Sequence, residues 1–238
     1  MSNLTRRDFM LSTGLLLLFG KDCLNNYYDK KDEEIIHKIY NKYPQKLHET
    51  VTNTKLRNSD ILMSKGSGII VDDKYITAAH VVDNTITEQR TPFGIQSMLN
   101  DVVNQTTTLY DVPLENVYLN NEDDVAVFNL SPEQYNLNGF TIDDCCFEEP
   151  QLGETIYIIG NPALQGMNIR RGYVSDLDGL KLHNNNPAFF GIDKPLVPGD
   201  SGGIIVNKKG RLKGINSQVL SGALGYAVKL KEFERWLQ

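Results

Sequence analysis

Residues 67–80 read Ser67-Gly68-Ile69-Ile70-Val71-Asp72-Asp73-Lys74-Tyr75-Ile76-Thr77-Ala78-Ala79-His80. An apolar run ending at Val71, a polar Asp-Asp-Lys turn and a second run from Tyr75 to Thr77 are the signal of two short strands joined as a hairpin. The texture recurs at Val125-Ala126-Val127-Phe128 and over residues 155–159, 203–206 and 212–215, each bounded by Gly, Asn, Asp or Pro. Asn207-Lys208-Lys209-Gly210 separates the last two as a hairpin turn should. Many short strands with turn signals between them predict an all-β sandwich or barrel. At the far end, Leu230, Phe233, Trp236 and Leu237 share one helical face, which predicts a helix over 229–238 docked on the sheet.

Upstream, residues 32–43 carry Ile35, Ile36, Ile39 and Tyr40 at helical spacing, and Pro44 marks the stop. Residues 45–60 are polar and read as a linker with a first strand. Thr5-Arg6-Arg7-Asp8-Phe9 precedes the apolar stretch 10–20, which is short for a bilayer span but suits the apolar region of an export signal. The pattern resembles a twin-arginine signal. Lys21-Asp22-Cys23 supplies no small-x-small cleavage site, and a retained leader would serve as a membrane anchor. The expected layout is therefore a signal or anchor at 1–23, a helical or linker lead-in at 24–60 and the main β domain at 61–238. The expected location is periplasmic or extracellular, with an amphipathic or disordered tail on a cytoplasmic protein as the alternative reading of the N-terminus.

A chain of 238 residues with 40% hydrophobic content can build a core, and a net charge of −6 argues against nucleic acid as a partner. Cys23, Cys145 and Cys146 do not form a disulfide framework and read as free thiols. His37, His48, His80 and His183 lie far apart, with none at the spacing of a helical zinc site, so neither a metal nor a cofactor is called for.

Three local signals carry chemistry. Gly199-Asp200-Ser201-Gly202-Gly203 would set a serine hydroxyl on a tight turn whose backbone N–H groups converge, with glycines permitting unusual backbone angles and close approach by substrate. His80 follows a strand and two alanines, leaving little bulk between a general base and its partner. Asp124 opens the strand beginning at Val125, where a carboxylate would fix the imidazole tautomer; Asp123 is the competing candidate, disfavoured by position. The order His, Asp, Ser also argues against an α/β-sheet esterase, which wants Ser, Asp, His among alternating strands and helices.

Together with Gly66-Ser67-Gly68-Ile69-Ile70, Gly160-Asn161-Pro162, Gly172-Tyr173-Val174-Ser175 and Gly225-Tyr226-Ala227-Val228, these segments resemble trypsin/chymotrypsin-like serine proteases. The likeness in texture is to bacterial HtrA (DegP)-type protease domains, and it covers roughly residues 61–230. It implies two antiparallel six-stranded barrels with a C-terminal helix, and a serine endopeptidase acting on polypeptides through an acyl-enzyme. His80, Asp124 and Ser201 would be the catalytic triad, and the N–H groups of Gly199 and Ser201 the oxyanion hole. Pro195, Gly214, Ser217 and Gly225 would wall the primary specificity pocket. Pro195 occupies the floor position that is acidic in trypsin, so a basic preference is not expected.

Two departures from the resemblance stand out. HtrA-type proteases usually carry PDZ domains after the protease, and this chain stops at Gln238. Asp200 matches the digestive proteases, in which a newly cut N-terminus pairs with that Asp, yet no Arg/Lys-Ile-Val-Gly-Gly site lies near residues 45–66. Asp200 then needs another partner, such as a Lys or a backbone N–H, or a different route of activation. Arg170-Arg171 and the 181–186 loop read as solvated surface, with a substrate-facing role as the alternative. A protease fold reduced to a peptide-binding module is the rival function; loss of His, Asp or Ser normally reveals one, and all three are present.

Overall fold

The computed structural model describes residues 30–57, 60–83, 86–91, 94–99, 102–134, 136–162, 166–178, 186–220 and 224–238. The leader segment 1–23, Cys23, His183 and most of the 181–186 loop lie outside the described residues.

The lead-in helix α1 (Lys30–Lys42) starts two residues earlier than its apolar spacing predicted and is followed by a 3₁₀ turn at Pro44–Lys46. Its Ile39 and the following Tyr43 are buried, and Tyr43 stacks on Phe140 at 5.2 Å. The first half of the domain contains β1 (Leu47–Leu56), β2 (Ile61–Val71), β3 (Lys74–Thr77), the single-turn helix α2 (Ala79–Val82), β6 (Val102–Leu109), β7 (Val112–Pro113), β8 (Glu115–Asn120) and β9 (Val125–Asn129). β4 (Ile86–Thr91) and β5 (Gly94–Leu99) form a hairpin between α2 and β6.

The polar stretch read as a linker with a first strand is largely that strand: it contributes β1, a full member of the sheet, paired antiparallel with both β2 and β6. Its buried face is polar: His48, Thr50, Thr52 and Thr54 alternate inward. Each finds a partner, as buried polar groups must. The two ring nitrogens of His48 meet Tyr110 Oη and Asn138 O, Thr50 meets the Tyr75 hydroxyl, Thr52 meets Thr107, and Thr54 donates to Gln105.

The second half is the closed barrel β10-β11-β12-β15-β14-β13, with β10 (Thr155–Gly160), β11 (Asn168–Asp176), β12 (Phe189–Ile192), β13 (Ile204–Asn207), β14 (Leu212–Leu220) and β15 (Leu224–Lys229). This half has the six strands that the resemblance implied. The first half differs from a six-stranded barrel. It is an open seven-stranded sheet in the order β7-β6-β1-β2-β3-β9-β8, because β4 and β5 pair with each other and do not bridge β7 to β8.

Every residue of β10 is buried. Ile156 and Ile158 join Val174, Phe190, Ile192 and Ile205 in one apolar cluster, while Tyr157 and Ile159 join the larger core that also holds Ile69, Ile76 and Val127 of the first half. A strand buried on both faces reads as a continuous apolar run, and each fully buried Ile stabilises the fold by about 1.5–3 kcal/mol. The C-terminal segment is a 3₁₀ turn (Leu230–Phe233) running into α3 (Glu234–Leu237). Leu230 and Phe233 are buried, and Trp236 stacks on Tyr118 of β8 at 4.7 Å, so the end of the chain docks on the first half.

Candidate active site

β3 and β9 pair antiparallel, with Thr77 facing Ala126. Two residues further along the same register, Ala79 faces Asp124 and its N–H donates to the Asp124 carbonyl at 3.1 Å. That register sets His80, in the first turn of α2, beside the Asp124 side chain. The His80 backbone N–H donates to Asp124 Oδ1 at 2.9 Å, and His80 Nδ1 lies 3.0 Å and 2.9 Å from the two carboxylate oxygens. A carboxylate only accepts, so Nδ1 carries a proton toward Asp124. Asp124 takes a left-handed backbone, φ 55°, which Asp tolerates better than most residues. Burial would raise its carboxyl, but the charge of His80 and hydrogen bonds from the His80 ring, Ser217 and the His80 amide hold it below the usual carboxylate range. Asp123 points elsewhere, accepting from Asn120 and Asn186.

Ser201 sits on a turn between the loop at 195–200 and β13. Its Oγ donates to Ser217 O at 3.1 Å, and the Ser217 hydroxyl donates to Asp124 Oδ2. His80, Asp124, Ser217 and Ser201 are thus linked by successive contacts across the two halves, the last of them through the Ser217 backbone carbonyl. Ser67 of β2 donates its N–H to Ser201 O at 3.0 Å, and Gly202 N–H donates to Asn216 O at 2.8 Å. Gly199 and Gly202 have φ of 96° and 77°, the left-handed region that favours glycine. A Cβ at Gly202 would lie 1.6 Å from Ser67 O, so the halves meet only because this position has no side chain. The N–H groups of Gly199 and Ser201 donate to no acceptor among the described residues.

Asp200 is fully buried. Its Oδ2 accepts from Arg170 Nη2 at 2.6 Å and from Val197 N–H at 2.8 Å. The other arm of Arg170 donates to Pro195 O at 2.7 Å. The partner left open by the sequence is therefore an arginine and a backbone N–H.

Of the pocket positions, Pro195 lies half-buried in the 195–200 loop. Gly225 packs under Lys194 O and Leu196, and Ser217 is buried against Asp124. Gly214 lies inside the barrel, where a Cβ would meet Val228 O at 2.5 Å and the Phe190 ring at 2.8 Å. Sequence reasoning did not find Ser67 or the hydroxyl role of Ser217, and it read Arg170 as solvated surface, whereas the Arg170 guanidinium turns inward to pair with the buried Asp200. Arg171 departs from its neighbour, with its guanidinium 5.3 Å from the centre of the Tyr173 ring.

The model of the trypsin-like peptidase domain matches residues 66–215, a span that includes His80, Asp124 and Ser201. A probable periplasmic serine endoprotease DegP-like protein of Halomonas elongata is 30% identical over 171 residues, 71% of this chain and 32% of that protein. The periplasmic serine endoprotease DegP of Escherichia coli is 31% identical over 163 residues, 67% of this chain and 31% of that protein. The chain thus spans about a third of the length of these curated relatives. Among solved structures, the HtrA-type protease AlgW with a tripeptide superposes with a TM-score of 0.57 at 22% identity, over 84% of this chain and 61% of that one. A serine endoprotease from Yersinia pestis gives 0.55 at 22%, over 84% and 64%. The structural likenesses show a shared fold.

Proposed function

Because this chain belongs to the trypsin-like peptidase domain family, we propose that it is a serine endopeptidase in which Ser201 is the nucleophile, His80 the general base and Asp124 the residue that orients the base and stabilises its charged form. The observation that carries the reading is the placement of Asp124. Its carboxylate accepts from the His80 ring on one side and from Ser217 on the other, and Ser217 in turn holds the Ser201 hydroxyl.

In the reaction, the Ser201 hydroxyl turns from Ser217 O toward His80 Nε2. His80 takes its proton as Oγ bonds to the scissile carbonyl carbon, and the carbonyl oxygen becomes an oxyanion. The N–H groups of Gly199 and Ser201, which have no other acceptor among the described residues, would receive that charge. Collapse breaks the C–N bond as His80 gives its proton to the leaving amine. Water, deprotonated by His80, then attacks the ester; the Oγ–C bond breaks and Ser201 recovers its proton. The ionised Asp124 stabilises the imidazolium in both halves.

The substrates are polypeptides, and Pro195, Ser217 and Gly225 would border the pocket for the residue before the scissile bond. Arg170 places a cation against the Pro195 carbonyl, which opposes a basic substrate side chain there. We assign residues 61–238, with β1, to the protease domain and residues 1–23 to an export signal or anchor. Two relatives are named as periplasmic, which supports export of this chain. Among the described residues no helix is long and apolar enough to cross a membrane.

A fluorophosphonate probe tests the reading. It should label Ser201 in the parent and leave Ser201→Ala unlabelled, with casein turnover lowered by roughly 10⁴–10⁶. A parent that binds peptides but neither reacts with the probe nor hydrolyses casein would mark a binding module instead.

A further inference from the structure

Asp200 precedes the nucleophile and presents a fully buried carboxylate to the inside of the second barrel. A buried carboxylate without a counter-ion is expensive by several kcal/mol. The charged side chain within ion-pair distance of it, among the described residues, is Arg170 on β11, at 2.6 Å. β11 pairs with β10 so that Arg170 faces Ile158, one strand over from the nucleophile turn.

The guanidinium does two things at once. Nη2 meets Asp200 Oδ2, and Nη1 meets the carbonyl of Pro195, so one planar fork ties both ends of the 195–200 loop. Inside that span Val197 N–H donates to Asp200 Oδ2, and Asp200 N–H donates back to Val197 O at 2.9 Å. The loop is closed around Arg170. It also carries Gly199, with φ 96°, whose N–H must point the same way as that of Ser201 if both are to meet an oxyanion. Room for the carboxylate comes from Gly160 at the end of β10, where a Cβ would lie 2.3 Å from Asp200 Oδ1.

We propose that Arg170 is a positioning residue for the endopeptidase: a built-in counter-ion that holds Asp200, and through it the Gly199–Ser201 turn, in working geometry without a proteolytic cut upstream. It takes the place of the new amino terminus used by digestive proteases. The inference rests on the endopeptidase reading and adds its mode of activation. Burial pushes the Asp200 carboxyl up, against the opposing pull of Arg170 and Val197 N–H. Without Arg170, ionised Asp200 would be a buried unpaired charge, and protonation would relieve it.

The test uses the full chain, the second-order rate of fluorophosphonate labelling, casein hydrolysis and thermal unfolding. Arg170→Met should slow labelling by about 10²-fold, the scale of losing one oxyanion donor. Arg170→Lys, which keeps the charge but loses the fork to Pro195 O, should be labelled faster than Arg170→Met while recovering only part of the loss. The double variant R170M/D200N, which removes both charges, should recover similarly, because Asn leaves no unpaired charge. The ratio of R170M to parent rates should climb as the pH is lowered, and the double variant should show no such climb. The parent should be labelled while still covalently joined to α1.

Parent-like labelling by R170M, a double variant as slow as R170M, or labelling confined to chains cut between residues 43 and 66 would each overturn the proposal. If R170M does not fold, recovery of folding and labelling in the double variant supports the proposal, and failure of both variants to fold overturns it. If the parent itself is not labelled, the endopeptidase reading falls. The ion pair is then judged by thermal midpoint: R170M must lose more than R170M/D200N, or the coupling is wrong.

Discussion

Ser217 holds Ser201 through its backbone and Asp124 through its side chain: its carbonyl accepts the Ser201 hydroxyl at 3.1 Å, and its own hydroxyl donates to Asp124 Oδ2. One residue of the second half therefore touches both the Ser201 hydroxyl and the Asp124 carboxylate of the first half. The bulge in β14 between Asn216 and Val219 leaves the pairing with β15 irregular where this double contact is made.

Replacing Ser217 by Ala removes the hydroxyl but keeps the carbonyl. A hydrogen bond to a charged group contributes about 1.5–3 kcal/mol, and part of that acts on the transition state. Steady-state kinetics on a fluorogenic peptide should show kcat lowered by about 10-fold with KM little changed. An unchanged kcat would mean that the His80 contacts alone orient Asp124.

Asp124→Asn should lower kcat by about 10⁴, because the amide no longer fixes the protonated Nδ1 tautomer. Stability provides a second measurement. The folded Asp124 carboxyl lies below its unfolded value, so its ionised form contributes stability that is fully present above the unfolded value of roughly 3.9 and is lost as the pH falls through the folded value. Urea unfolding should show the gap between parent and variant narrowing from pH 7 to pH 3, whereas a gap that widens would contradict the sign.

Gly202→Ala would place a methyl group 1.6 Å from Ser67 O and 2.5 Å from Thr77 Oγ1 at a φ of 77°. Strain and overpacking together should cost about 3 kcal/mol, read as a lower urea midpoint, and should separate Ser201 from β2. A variant as stable as the parent would show that the two halves do not depend on this contact.

Cys145 is buried and its thiol is pushed up to about 12 by burial and by Asp144 and Asp72. With so little thiolate at pH 8, iodoacetamide should leave Cys145 unmodified in the folded protein and modify it after denaturation, as peptide mass mapping would record. Rapid alkylation of the native protein would place this thiol at an accessible surface.

Cleavage of a peptide library should not favour Lys or Arg before the scissile bond, because on the proposed reading Pro195 would stand at a floor that is acidic in trypsin, and Arg170 sits against its carbonyl. Dominant cleavage after basic residues would remove Pro195 from the pocket.

Much of the site was legible because its local requirements are short-range. Glycines on either side of Ser201, two alanines before His80 and a strand directly after Asp124 are features of a few consecutive residues. The strands with an apolar buried face, such as β10, were equally plain. β1 was partly hidden, since the sign of a buried face is an apolar alternation and here it is His48, Thr50, Thr52 and Thr54. β-branched threonines at a spacing of two are nonetheless compatible with a pleated strand, and that signal was available.

Residue identity and order along the chain by themselves determined the all-β class, the tight turn at Ser201 and the choice of Asp124 over Asp123, because turn chemistry and strand periodicity act between near neighbours. Only the tertiary structure decided that Arg170 meets Asp200, that Ser217 meets Asp124 and that the first half stays an open sheet. Those contacts join residues 30 and 93 positions apart, and they exist only once strand register and barrel closure have set which side chains share a space.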